Sequence, residues 1–206
     1  GEAGRELMGL VLANVRTPAE REGDFAAQFM AARIGVKRLQ ELAAAHGSGT
    51  LLRYARGLMD HAEAMMRSVI RDIPDGDYDF EDVLDGDGLS RRDVAVRARI
   101  TVEGDGCAVD FTASDAQVEG SVNAVRAIAL SAVLYVFRCL GPADMPTNAG
   151  CLRPIEVLTQ PGAVVDALPP AAVAGGNVET SQRIVDVLLG ALAKCIPDRI
   201  PAASQG

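Results

Sequence analysis

The sequence predicts an α+β fold: an N-terminal helical hairpin, then a mixed or antiparallel β region with packed helices. Three observations carry this. Apolar residues recur at helical spacing through residues 24–46 and again through 51–69. The period then switches to two between Val94 and Phe111. Two further apolar helical stretches follow, near 124–140 and after Arg183. Strands and helices are grouped rather than alternating, which favours α+β over a parallel doubly wound sheet. The expected segments are 1–74 for the hairpin and 75–206 for the α+β part.

In the first helix Phe25, Phe29, Ala32, Val36 and Leu39 form one stripe. Asp24 has the chemistry of its N-cap. Gly47-Ser48-Gly49 breaks the pattern, and Thr50 caps a second helix striped by Leu51, Ala55, Leu58, Ala62, Met65 and Val69. The two stripes are expected to face each other or a common core. Residues 75–88 are rich in Asp and Gly and read as solvated turns. An EF-hand is excluded, because Phe80 stands where the loop needs Gly and Gly86 where it needs a bidentate Glu.

Val94, Val96, Ala98, Ile100 and Val102 alternate with polar neighbours as a half-buried strand. Gly104-Asp105-Gly106 turns the chain, and Cys107, Val109 and Phe111 line the core face of the return strand. A helix over about 124–140 follows, then short extended pieces at 155–158 and 163–165. In the last helix Ile184, Val187, Leu188, Ala191, Leu192 and Cys195 recur on one face.

Composition removes several classes of function. The chain has 206 residues, 49% hydrophobic and 23% charged, which is globular and not disordered. A net charge of −8 argues against an electrostatic nucleic-acid footprint. No basic run suits a membrane surface, and the apolar run 127–137 is far short of the ~20 residues that span a bilayer. No signal-peptide pattern is present at the N-terminus. Cys107, Cys139, Cys151 and Cys195 are scattered with no C-x-x-C, the pattern of reduced thiols in a cytoplasmic protein. The chain lacks an initiator Met and stops at Ala202-Ala203-Ser204-Gln205-Gly206 just after a helix, which reads as a fragment.

The richest local signal is the run from Pro169 through Gly175-Gly176-Asn177-Val178-Glu179-Thr180-Ser181-Gln182-Arg183. Glycines allow close approach of backbone, and a helix N-terminus carries unpaired N–H groups and partial positive charge. An anion suits that place; so do ordinary caps made by Asn177, Thr180 and Ser181. His46 and His61 have no metal-ligand spacing to a second His or Cys, so no zinc site is expected from this chain alone. There is no G-x-S-x-G elbow and no G-x-x-x-x-G-K-[ST] phosphate loop. Asn14, Arg16, Arg21 and Asp24 crowd the first helix start as caps and ion pairs. Asp110-Phe111-Thr112-Ala113-Ser114 ends a strand with one carboxylate and two hydroxyls, suited to a site or to a turn. Asn123 and Asn148 read as loop caps or turn residues.

Six segments in order then resemble the hydantoinase B/oxoprolinase family. They are Asn14 to Gln28 with Arg16, Pro18, Arg21, Gly23 and Asp24; Leu84-Asp85-Gly86-Asp87-Gly88; Val109 to Ser114; Val122-Asn123-Ala124; Asn148-Ala149-Gly150; and Gly175 to Arg183. The resemblance covers nearly all of the chain. It implies part of an ATP-dependent enzyme that opens cyclic amides such as hydantoin, 5-oxoproline or lactams. A related branch, the alpha-type subunits of acetone and acetophenone carboxylases, is the alternative, as is a non-catalytic assembly module in such a complex. It also implies a hydantoinase A-type partner that handles ATP and Mg and phosphorylates the substrate, in a cytoplasmic hetero-oligomer. This segment would then bind no cofactor of its own. The family's early Asn-Asp-Pro and Gly-Gly-x-His-type motifs, with the metal ligands of that region, are absent here, so a divalent metal is expected outside this segment. The chain alone is expected to be inactive.

Carried onto this sequence, the catalytic candidates are Asn177, Glu179, Arg183 and Asp110. The substrate-binding candidates are Gly175, Gly176, Thr180 and Asn123. Arg183 would pair with a phosphate or carboxylate, and the Gly175–Asn177 backbone would hold a developing oxyanion. Arg183→Ala is then expected to lower turnover without unfolding the protein.

Overall fold

The computed structural model describes residues 4–202 and divides into two compact units, Gly1–Arg56 and Gly57–Gly206. Residues 1–3 and the tail 203–206 lie outside the described residues. The third helix crosses the division.

The first unit holds α1 (Arg5–Ala13), α2 (Pro18–His46) and the start of α3 (Ser48–Arg71). Helix α2 begins at Pro18, well before Asp24. Proline is pre-shaped for the first helical position and its missing N–H costs nothing there. Asp24 is therefore interior, paired with Arg21 at 2.7 Å. A single residue, Gly47 (φ 82°), separates α2 from α3, so Gly49 and Thr50 lie inside the helix and not in a break before it. No residue of α2 is buried. Phe29, Val36 and Leu39 of the expected stripe are exposed, and so are Met30, Ile34 and Leu42 off it. Apolar side chains surround this helix rather than lining one face, so it has no single face to bury.

The second unit is built on a four-stranded sheet in the order β1-β2-β3-β4. β1 (Gly76–Leu84) pairs antiparallel with β2 (Val94–Glu103), Gly76 opposite Val102 and Leu84 opposite Val94. β3 (Gly106–Asp110) returns antiparallel to β2, and β4 (Ile155–Leu158) adds in parallel, Cys107 opposite Ile155. Residues 76–84 are thus a strand, not solvated turns. Their acidic residues hide an alternation: Tyr78, Phe80 and Leu84 share one face, while Asp77, Asp79 and Glu81 take the other. Cross-strand partners hold the acidic face. The Thr101 hydroxyl donates to Asp77 at 2.6 Å, and Arg97 pairs with Glu81.

The core lies between one sheet face and the helices. Val96, Ile100, Val102, Val109 and Phe111 of the sheet segment meet Val136 and Phe137 of α4 (Arg126–Cys139) and Ile184, Leu188 and Leu192 of α5 (Glu179–Leu192). Met66 and Ile70 of α3 close the same core. Each such side chain contributes about 1.5–3 kcal/mol through burial. An ion-pair chain ties this part of α3 to the β2–β3 turn and to the segment before β4. Arg67 bridges Glu63 (2.7 Å) and Asp105 (3.0 Å), and Arg153 bridges Asp60 and Glu63. Cys107 and Cys151 are buried, Cys195 is partly buried, and Cys139 is exposed; none forms a disulfide. Among the described residues no helix is long and apolar enough to cross a membrane.

Candidate functional site

The segments 84–88, 122–124 and 175–183 singled out in the sequence lie in three stretches, 84–91, 118–124 and 172–183, that are locked together by side chains that bond backbone. Asp87 is buried, and its carboxylate accepts from the N–H groups of Ser90 (2.6 Å), Leu89 (3.0 Å) and Gly120 (3.1 Å) and from the Ser90 hydroxyl. Those donors, led by the Ser90 and Leu89 amides, lower its pKa to about 2. Gly120 can only be glycine, since a Cβ there would meet the Asp87 carbonyl oxygen at 1.8 Å.

Asn123 is fully buried. Its Oδ1 accepts from Val118 N (2.7 Å), and its Nδ2 donates to the carbonyls of Val118, Gly120 and Ala172 at 2.9 Å each. Thr180 is also fully buried, with its hydroxyl donating to the Val122 carbonyl. Both side chains have their polar groups satisfied by the protein, which gives each a packing role in this cluster.

The glycine pair has the same explanation. A Cβ on Gly176 would lie 2.0 Å from the Asn123 carbonyl oxygen, and one on Gly175 would lie 3.0 Å from that of Ser121. Gly175 N–H donates to Ser121 O at 2.7 Å and Gly176 N–H to Val173 O at 3.2 Å. The close approach these glycines permit is to the chain's own 121–124 backbone. The N–H groups of Gly175 and Gly176 are thus occupied by the chain's own carbonyls.

What this cluster leaves open is a cavity of about 580 Å³ lined by Asp85, Gly86, Arg91, Val122, Glu179 and Arg183, among others. Glu179 opens α5, where a carboxylate suits the helix dipole. Arg183 pairs with Asp82 of β1 and lies 4.0 Å from Asp186. Its Nε is buried without a hydrogen-bond partner among the described residues. Removing this guanidinium would take from Asp82 its cross-element ion pair, leaving it only the Val83 N–H at 2.8 Å among the described residues, so Arg183→Ala loses some stability as well as any ligand contact. Arg91 and Asp85 line the same cavity and were not legible as site residues, because nothing in their local pattern separates them from turn residues.

The other candidates lie elsewhere. Asn177 lines a cleft of about 390 Å³ between α4 and α5 with Ser181 and Gln182. Asp110 lines a third hollow of about 380 Å³ with Phe80, Arg97 and Thr112, and its carboxylate accepts from Thr112 N at 2.7 Å. Beyond it, Ser114 bonds both N and O of Arg97, and Asp115 accepts from Ala95 N (3.1 Å) and Arg97 (2.8 Å). The Arg97 guanidinium holds the Asp115 carboxyl below its ordinary value. That segment thus continues the line of β3 alongside β2. Asn148 caps a short turn by accepting from Gly150 N at 2.8 Å. His46 and His61 are exposed. Among the described residues no three His, Cys, Asp or Glu side chains gather to hold a metal ion.

Comparison with known proteins covers the whole chain. The family model for hydantoinase B/oxoprolinase matches residues 1–206. An uncharacterized protein of Methanocaldococcus jannaschii is 33% identical over 211 aligned residues, covering 100% of this chain and 36% of that protein. The B subunit of a putative D-/L-hydantoinase from a Pseudomonas strain is 29% identical over 98% of this chain and 36% of its own length. The crystal structure of an ATP-dependent caprolactamase from Pseudomonas jessenii superposes with a TM-score of 0.83 at 28% identity, over 97% of this chain and 34% of that one. A nucleotide-free acetone carboxylase shares the fold, with a TM-score of 0.81 at 16% identity over 96% of this chain and 28% of that one. The chain therefore spans about a third of the length of these relatives.

Proposed function

The chain belongs to the hydantoinase B/oxoprolinase family, and from that premise we propose that it is part of a B-type subunit of an ATP-dependent cyclic-amide hydrolase. The observation that carries this is the match along nearly its whole length to the B-type component of a hydantoinase and to an ATP-dependent caprolactamase, both named for ring amides. Hydantoin, 5-oxoproline and lactams are the substrates proposed. ATP and Mg are assigned to a hydantoinase A-type partner in a cytoplasmic hetero-oligomer, and any divalent metal to residues outside this segment. Four unpaired cysteines suit a reducing compartment.

Within this segment the cavity of Glu179 and Arg183, with Arg91, is the proposed place where an already activated, anionic substrate is met. Arginine pairs with phosphate through two parallel hydrogen bonds. The carboxylase alternative is supported by shared fold alone, and an assembly role by α2, which buries none of its residues.

The deciding experiment is turnover by the intact subunit with its partner. Hydantoin, 5-oxoproline and a lactam are assayed with and without ATP, beside acetone with bicarbonate. Ring opening that needs ATP is expected. ATP-driven carboxylation of acetone with every ring amide untouched would overturn the reading.

A further inference from the structure

The cleft between α4 and α5 differs in chemistry from the cavity of Arg183. One wall is apolar, made by Ile128, Ala132 and Val185. Asp186, the one charged residue among the described residues that line it, lies 4.0 Å from Arg183 and brings no unbalanced charge. The Ser181 hydroxyl is engaged by the carbonyls of Asn177 and Val178, and Gln182 donates to Val178 O at 3.0 Å. The carboxamide of Asn177 and the hydroxyls of Ser131 and Tyr135 make no hydrogen bond among the described residues. The cleft thus offers a neutral, half-apolar space with a primary carboxamide at its edge, the composition of a small-molecule site.

A carboxamide presents an N–H donor and a C=O acceptor side by side on one edge. An amide held cis in a small ring presents the same pair on one edge, in the reverse sense. Two hydrogen bonds then join the groups head to tail. An open-chain secondary amide prefers trans by about 2.5 kcal/mol and holds its donor and acceptor on opposite edges. We propose that this cleft binds the ring amide before activation, with Asn177 pairing its N–H and C=O and Ile128, Ala132 and Val185 packing on its methylenes. The proposal rests on the cyclic-amide reading above and deepens it by assigning the substrate a place separate from the Arg183 cavity. It requires that the cleft prefer the closed ring to the opened product.

The test is calorimetric titration of the intact subunit, without ATP, using three probes: a seven-membered lactam, its N-methyl derivative and the ring-opened amino acid. The lactam is expected to bind about tenfold or more tightly than the other two, which lack the paired donor and acceptor. Asn177→Leu should remove that preference, and Ser131→Phe, which fills the cleft from an exposed position, should abolish binding. Circular dichroism should show both variants folded. In the ATP-driven assay Asn177→Leu should raise KM about tenfold while affecting kcat less. Lactam affinity and KM unchanged in both variants, with ring opening intact, would overturn this site and leave the proposed function standing. A complex that neither binds nor opens any ring amide would overturn both.

Discussion

Replacing Gly176 by alanine asks whether the glycine pair serves a ligand or the fold. The added Cβ would sit 2.0 Å from the Asn123 carbonyl oxygen, 2.7 Å from its carbonyl carbon and 2.8 Å from Ala124 Cα. All three obstacles are backbone, so no side chain can swing aside. The 122–124 segment would have to retreat by about 1 Å or more from ordinary contact. It is held where it is by the buried side chains of Asn123 and Thr180. Overpacking costs about 1–3 kcal/mol, and a rigid obstacle places this substitution at the upper end, about 3 kcal/mol. Urea unfolding of the intact protein measures it as a fall in midpoint with an unchanged slope. Gly57→Ala is the control: no atom lies within 4 Å of its added Cβ inside α3, so a gain of up to about 1 kcal/mol is expected. A Gly176→Ala protein as stable as wild type but unable to turn over substrate would refute the packing argument and restore the ligand reading.

Three further outcomes follow from the same contacts. Arg183→Met should cost about 2 kcal/mol, below the usual cost of breaking a buried pair because the Asp82 side chain is 37% exposed; a double-mutant cycle with Asp82→Asn showing no coupling would contradict it. The Asp87 carboxyl is held at about 2 against about 3.9 in an unfolded chain. Its contribution is therefore complete above about pH 4 and lost as pH falls towards 2. The stability gap between wild type and Asp87→Asn should be widest near neutrality and close on acidification, and a gap constant with pH would disprove this. Burial pushes the Cys107 thiol up to about 12, so a thiol reagent should modify exposed Cys139 first and reach Cys107 only on unfolding.

Much of the second unit was legible because its signals are local. The alternation from Val94 to Phe111 gives the β2–β3 hairpin, and the apolar faces of α4 and α5 stand out at helical spacing. β1 was obscured because its polar face is carried by Asp and Glu, which are turn formers in isolation and become strand residues only once Arg97 and Thr101 lie opposite. The start of α2 was misplaced because Asp24 resembles a cap, while Pro18 sets the helix going earlier. At the site, Glu179 and Arg183 do meet in one cavity. Asn123, Thr180 and the glycines have the composition of a binding loop but bond backbone far away in sequence. Only the folded chain shows which polar groups already have partners.

The interlocked cluster also governs when the protein can fold. Asp87 closes on Gly120, Asn123 on Ala172, and Val122 waits for Thr180. β3 likewise needs β4, its parallel neighbour, which arrives only after α4 has been made. A ribosome delivers these partners in order, at about 5–20 residues per second. Until α5 emerges, the 118–124 loop has no lid, and the nascent sheet exposes the face that Ile184, Leu188 and Leu192 will cover. Early segments must therefore wait, unfinished and sticky, for α5, which makes that helix the step that closes this cluster and makes nascent chains that have not yet reached it candidates for chaperone capture.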